Sequence, residues 1–263
     1  MIQQQFAERV TGLVKNDPAI IGLAVAGSWT EQELDEFSDL DLVLVTQEKI
    51  GGNKEKMIGI ARGFGDFISG FTGEHVGEPR LLICLFDNPL LHVDIKFVTL
   101  KEFEIRVDDP IVLFERGKRL SETIQKNPSH WPEPDIQWIE DRFWTWVHYI
   151  AAKIGRGEFF EALSNLDYLR MNVLAPLMQL KNKKKSKGLR KVERRLTAAD
   201  LENLKITVSQ YNRDSLVKGL DNAISVYRSL RRKLGSEQLQ LQERAEKKSM
   251  SYFRELKGKI NKA

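Results

Sequence analysis

Residues 21–45 read IGLAVAGSWTEQELDEFSDLDLVLV, and no other part of the chain restricts the fold so much. An apolar run ends abruptly at Gly27-Ser28, ten residues rich in charge and without a clear period follow, and Asp39-Leu40-Asp41 leads straight into Leu42-Val43-Leu44-Val45. The apolar, β-branched end favours a strand over a helix. The layout is therefore strand, Gly-Ser turn, polar loop and second strand. Asp39 and Asp41 are two apart, so on extended chain both carboxylates leave one face while Leu40 and Leu42 point into a core. Adjacent carboxylates repel, and a cation between them relieves the repulsion. With oxygen ligands and room for phosphates, that cation is expected to be magnesium.

Each residue also has an ordinary reading. Gly27-Ser28 can be a plain strand-ending turn, and Asp39 the N-cap of a helix. A third acid, Asp94, lies in LHVDIKFV, where it can instead be a solvent-facing residue on an edge strand beside His92 and Lys96.

Taken together, Ala26-Gly27-Ser28, the ten-residue spacer, Asp39-Leu40-Asp41-Leu42 and the later Asp94 resemble the signature of the nucleotidyltransferase superfamily. That superfamily includes DNA polymerase β and the aminoglycoside adenylyltransferases. The resemblance implies an α/β (α+β) fold, with an N-terminal nucleotidyltransferase domain built on a small mixed sheet and a C-terminal helical bundle. It implies that Asp39, Asp41 and Asp94 hold Mg2+, that Gly27 and Ser28 meet the phosphates of ATP or another nucleoside triphosphate, and that Asp94 serves as catalytic base. Residues 143–158, FWTWVHYIAAKIGRGE, resemble the first bundle helix of bacterial aminoglycoside 6-adenylyltransferases, which places Lys153, and less so Arg156, on the triphosphate. A solvated helix end is the alternative for both, since basic residues there also suit the helix dipole.

At 263 residues, 41% hydrophobic and 30% charged, the chain suits a soluble protein of one large or two small domains. No apolar stretch approaches the ~20 residues that cross a bilayer. MIQQQFAERV lacks the basic and apolar regions of a secretion signal. The single cysteine, Cys84, reads as a core residue of a reducing compartment. A cytoplasmic protein without membrane association is expected. Pro128, Pro132 and Pro134 mark a boundary, which gives domains of residues 1–130 and 135–263.

Helices are expected at residues 2–15, 54–71, 136–154, 159–180, 197–211, 215–234 and 237–260, the last on the outside. Pro176 predicts a kink, and Thr197 and Asp200 a cap. Strands are expected at 81–86 and 91–98, forming a hairpin about Asp87-Asn88-Pro89, and at 111–114 on an edge. Of Trp144 and Trp146, which leave a helix on different sides, Trp146 is assigned to the core. Residues 181–195, KNKKKSKGLRKVERR, hold nine basic residues against Glu193 alone; without them the formal charge falls from +4 to about −4. Such a run reads first as a mobile, solvated loop and second as a grip on nucleic acid.

The expected activity is transfer of AMP from ATP to a hydroxyl of a small, aminoglycoside-like acceptor. The competing readings are a nucleotide-binding module without turnover and a transferase acting on RNA or protein.

Overall fold

The computed structural model describes residues 1–260. The last three residues of the expected second domain, 261–263, lie outside the described residues. The chain divides into two compact units, Met1–Trp131 and the part from Pro132 on.

In the first unit, α1 (Ile2–Val14) leads into β1 (Ile20–Val25) and β2 (Leu40–Thr46). Then come α2 (Lys54–Arg62), β3 (Asp66–Gly73), β4 (Glu78–Asp87), β5 (Leu91–Thr99), α3 (Leu100–Phe103), β6 (Ile111–Glu115) and α4 (Arg119–Lys126). The strands form one mixed sheet in the order β3-β4-β5-β2-β1-β6. All neighbours are antiparallel except β2 and β5. A parallel pair needs a long crossover, and the segment from α2 through β4 supplies it. β5 is thus an interior strand, so Asp94 does not stand on a sheet edge; β6 does occupy an edge.

The expected helix over 54–71 is half wrong. It starts where Asn53 caps it, by accepting from Lys56 N, and stops at Arg62. Gly63 and Gly65 weaken its continuation, and Phe67, Ser69 and Phe71 pair instead with β4.

One sheet face is apolar throughout: Leu23, Leu42, Ile95 and Phe97 pack beneath Phe6 and Val10 of α1 and Met57 and Ala61 of α2. The opposite face is apolar over one half, where Ile21, Val45 and Val98 meet Phe103 of α3 and Leu120 of α4. Its other half carries Asp41, Asp94 and Lys96, all half-buried. The burial pattern of β2 records the change: it alternates from Leu40 to Leu44 and is buried on both sides thereafter.

The second unit is helical: α5 (Ile136–Arg156), α6 (Phe159–Leu169), α7 (Ala175–Lys181), α8 (Val192–Arg195), α9 (Ala198–Lys205), α10 (Arg213–Leu234) and α11 (Glu243–Ile260). A π-helical turn over Arg170–Leu174 joins α6 to α7 without a break, just ahead of Pro176, whose ring cannot donate to the helical ladder. Thr197 caps α9 by accepting from Asp200 N. That helix ends at Lys205, short of the expected 211, and Arg170 and Asn222 take the carbonyls of Thr207 and Ile206 beyond it.

Trp144 is fully buried in the bundle core, whereas Trp146, the one assigned to the core from sequence, is only half-buried and packs against its margin. Trp144 packs with Phe143 and Tyr227, whereas Trp146 is half-buried between the rings of Trp138 and Tyr168. The buried Glu140 sets this phase. Its carboxylate accepts from Trp144 Nε1 (3.2 Å), Tyr227 OH (2.5 Å), Arg231 Nη1 (2.9 Å) and Gln242 N (3.0 Å). A buried charge is tolerated when hydrogen-bonded in this way, and the last contact ties the segment before α11 to α5. α11 does not lie merely on the outside: Phe253 is fully buried and Ser249 donates to Trp144 O.

The basic stretch forms a connection between α7 and α8 that is anchored at several points. Gln179, fully buried, donates from Nε2 to Gly188 O and accepts from Lys187 N, while its carbonyl accepts from Lys184 N. Val192 of α8 is buried in the bundle core. No helix among the described residues is long and apolar enough to cross a membrane.

Candidate active site

After Val25 the chain leaves the sheet. Ala26 is extended and its N–H donates to Asp41 O (3.0 Å), which fastens the start of the turn to β2. Gly27 then takes φ +62°, and Gly27–Trp29 forms one tight turn. Thr30 Oγ1 closes it on Gly27 O (2.8 Å), and Glu33 N donates to Ser28 O (2.9 Å). A Cβ on Gly27 would lie 1.8 Å from Asp41 Oδ2, so the backbone here runs directly against that carboxylate. Gly27 is exposed and Ser28 half-buried, so both can meet a ligand.

β2 begins at Leu40, which leaves Asp39 in the loop one residue ahead of the ladder. It caps no helix, and strand geometry does not enforce the shared face expected for Asp39 and Asp41. The loop delivering it is nonetheless anchored: Gln3 of α1, fully buried, donates to the carbonyls of Asp35 (3.1 Å) and Ser38 (2.7 Å). Asp35 Oδ1 accepts from Phe37 N and Ser38 Oγ within the same turn. Sequence reasoning missed Gln3, because a glutamine in the first turn of a helix carries no signal that it is buried.

Asp41 and Asp94 are brought together. They are partners in the parallel β2–β5 register, on strands about 4.8 Å apart, and both are half-buried on the open half of the sheet face. His92 Nε2 lies 2.9 Å from Asp94 Oδ1. Beneath them Cys84 is buried and unpaired with another cysteine; burial, and then the Asp94 charge, push its thiol up to about 12. The next cation on Asp94's strand, Lys96, is bound by Glu78 (2.8 Å), which also takes Arg80 through two contacts of 2.7 Å. Arg80, then Lys96, hold the Glu78 carboxyl down at about 2 against the opposing effect of burial.

Among the described residues no three or more His, Cys, Asp or Glu side chains are grouped as a metal site. The register instead offers two carboxylates, Asp41 and Asp94, with a side-chain-free backbone at one of them. Magnesium is commonly held by one or two carboxylates together with the phosphates of its substrate, and this donor set fits a cation that arrives with a nucleotide.

Lys153 has local partners. Its ammonium contacts Glu158 Oε2 (2.6 Å) and Glu161 Oε2 (2.9 Å), and those two carboxylates raise its pKa. Gly157, at φ 78°, turns the chain after α5 and returns Glu158 and Glu161 to it. Arg156 is exposed and lies 3.5 Å from Glu158 Oε1. The surroundings of Lys153 thus give its charge a structural use within the second unit.

No protein family matches the chain by sequence, and no curated protein does. Among solved structures it is similar to an aminoglycoside 6-adenyltransferase from Bacillus subtilis, at TM-score 0.42 and 16% identity over 97% of this chain and 98% of that one. It is similar also to a nucleotidyltransferase-like protein from Exiguobacterium sibiricum, at TM-score 0.42 and 11% identity over 89% and 77% of the two chains. A spectinomycin adenyltransferase from Enterococcus faecialis, solved with ATP and spectinomycin, gives TM-score 0.31 and 13% identity over 97% and 99%. These are distant similarities.

Proposed function

We propose that the chain is a magnesium-dependent nucleotidyltransferase that moves AMP from ATP to a hydroxyl of a small-molecule acceptor such as an aminoglycoside-like compound. On this reading the unit ending at Trp131 carries the chemistry and the helical unit carries acceptor choice. The observation that supports it is the pairing of Asp41 with Asp94 in adjacent register, with Gly27 closed down on Asp41.

Bound Mg2+ would supply positive charge to a triphosphate, with Asp41 and Asp94 as its protein ligands and Asp39, in the loop ahead of β2, as a third acid that a bound cation would draw in. Gly27, lacking a side chain, lets a phosphate approach the backbone, and Ser28 Oγ donates a hydrogen bond to it. Asp94 accepts the proton of the acceptor hydroxyl while its oxygen bonds to the α-phosphorus. The bond from that phosphorus to the β-phosphate oxygen breaks, and pyrophosphate leaves. Positioning and charge neutralisation are the protein's main contribution to such chemistry. His92, against Asp94 Oδ1, restricts the carboxylate's rotation.

The test is calorimetric titration of ATP in Mg2+ and in EDTA, on the parent and on Asp41→Asn. Magnesium-dependent affinity is expected in the parent and lost in the variant. Equal affinity in all four titrations would remove the reading.

A further inference from the structure

We propose that the helical unit holds a second site, separate from the acids of the sheet, for a small phosphate-type oxyanion. A cavity of about 190 Å³ lies between α7, α9 and α10. Along α10, Ser225, Ser229 and Lys233 recur at four-residue intervals and so share one stripe of the helix, which faces this space. Lys181 and Asn203 complete the polar lining from the other side.

The chemistry of the lining selects the ligand. Its carboxylate, Asp200, is already saturated by Lys181, by Asn182 Nδ2 (2.8 Å) and by Thr197 Oγ1 (3.0 Å). Burial alone would raise the Asp200 carboxyl, but these partners bring it below its ordinary range. A cation entering the cavity therefore finds no acid to neutralise it. Lys233, by contrast, has no ion pair among the described residues. It sits in the last turn of its helix. With Lys181 and Asp200 cancelling, the lining is left with one positive charge. Ser225 donates to Asp221 O, so Ser229, Asn203 and the remaining protons of Lys181 and Lys233 are the donors left for a ligand. No aromatic ring lines the space to stack a sugar or base.

Size narrows the choice further. The cavity is smaller than the roughly 300–1,000 Å³ that encloses a drug-sized ligand, yet holds several waters at about 30 Å³ each. A phosphate or pyrophosphate fits this space. The common chemistry is a phosphate group, supplied either free or as the end of a phosphomonoester.

The experiment is calorimetric titration of the full chain in EDTA with inorganic phosphate, with pyrophosphate and with AMP. One phosphate or pyrophosphate per chain is expected. Lys233→Ala should weaken it about tenfold or more, as for loss of a charge-assisted contact, and Ser229→Ala a few-fold. Asp41→Asn should leave it unchanged, which keeps this site distinct from the proposed active site. Phosphate binding without AMP binding supports a free anion, and binding of both supports a phosphomonoester end group. Absence of binding at millimolar concentration overturns the proposal, as does binding that survives both α10 substitutions or disappears in Asp41→Asn.

Discussion

Gly27 and Asp41 occupy adjoining space: a Cβ added to Gly27 would fall 1.8 Å from Asp41 Oδ2 and 2.8 Å from its Cγ. The glycine also holds φ +62°, in the left-handed region where side chains cost about 1–2 kcal/mol. Gly27→Ala should therefore act in two ways at once. Stability should fall by about that amount in urea unfolding, and the Asp41 carboxylate must rotate away from the turn. Magnesium-dependent ATP affinity should then fall with it. An alanine variant with parental affinity and parental stability would contradict both effects.

Asp94 should separate binding from chemistry. Asp94→Asn keeps the size of the side chain but removes its charge and basicity. Single-turnover transfer is expected to fall by the ~10²-fold typical of a lost general base. ATP affinity in Mg2+ should fall less, since Asp41 and the Gly27–Ser28 turn remain. Both quantities are to be measured on one preparation, and near-parental turnover would deny Asp94 any part in the reaction.

The placement of Asp41 on its strand and the turn at Gly27 were legible because each obeys a local rule, whereas Asp39 lies ahead of the strand and does not share that face by strand geometry. Alternation by two places Asp41 and Leu42 on opposite faces, and a glycine ending an apolar run marks a backbone that must bend. What escaped was decided by partners distant in sequence. Residues 66–73 form β3 because β4 offers a ladder, and nothing between Gly65 and Phe71 alone distinguishes strand from a weakened helix. Trp144 rather than Trp146 is buried because Glu140 and Tyr227 lie on that side of α5. Gln3 and Gln179 are buried polar side chains that hold loops by their backbones, a use with no mark in composition or spacing.

Lys153 yields a further prediction. Its two carboxylate partners, Glu158 and Glu161, neutralise it locally. Lys153→Met should change ATP affinity by less than about threefold, as for a cation already paired. It should also lower the melting temperature, because Glu158 and Glu161 would be left as neighbouring like charges. Loss of ATP affinity with an unchanged melting temperature would return Lys153 to the triphosphate.

Glu78 should give the first unit a pH dependence at the acidic end. Its carboxyl is lowered from an ordinary 4.5 to about 2, chiefly by Arg80 and then by Lys96, with burial opposing them. Because the folded value lies below the unfolded one, the stabilisation is fully present above about pH 4.5 and is lost as pH falls towards 2. Glu78→Gln retains the shape and an acceptor oxygen but never carries the charge, so it mimics the protonated acid at every pH. In urea unfolding across that range, the parent should exceed the variant by a constant margin above about pH 5, and the margin should close as pH approaches 2. A margin that persists unchanged at pH 2 would mean that shape and packing, rather than the ionised pairs with Arg80 and Lys96, account for the contribution of Glu78. A variant as stable as the parent at pH 7 would mean that solvent screens both pairs and that Lys96 is held beside Asp94 by other forces.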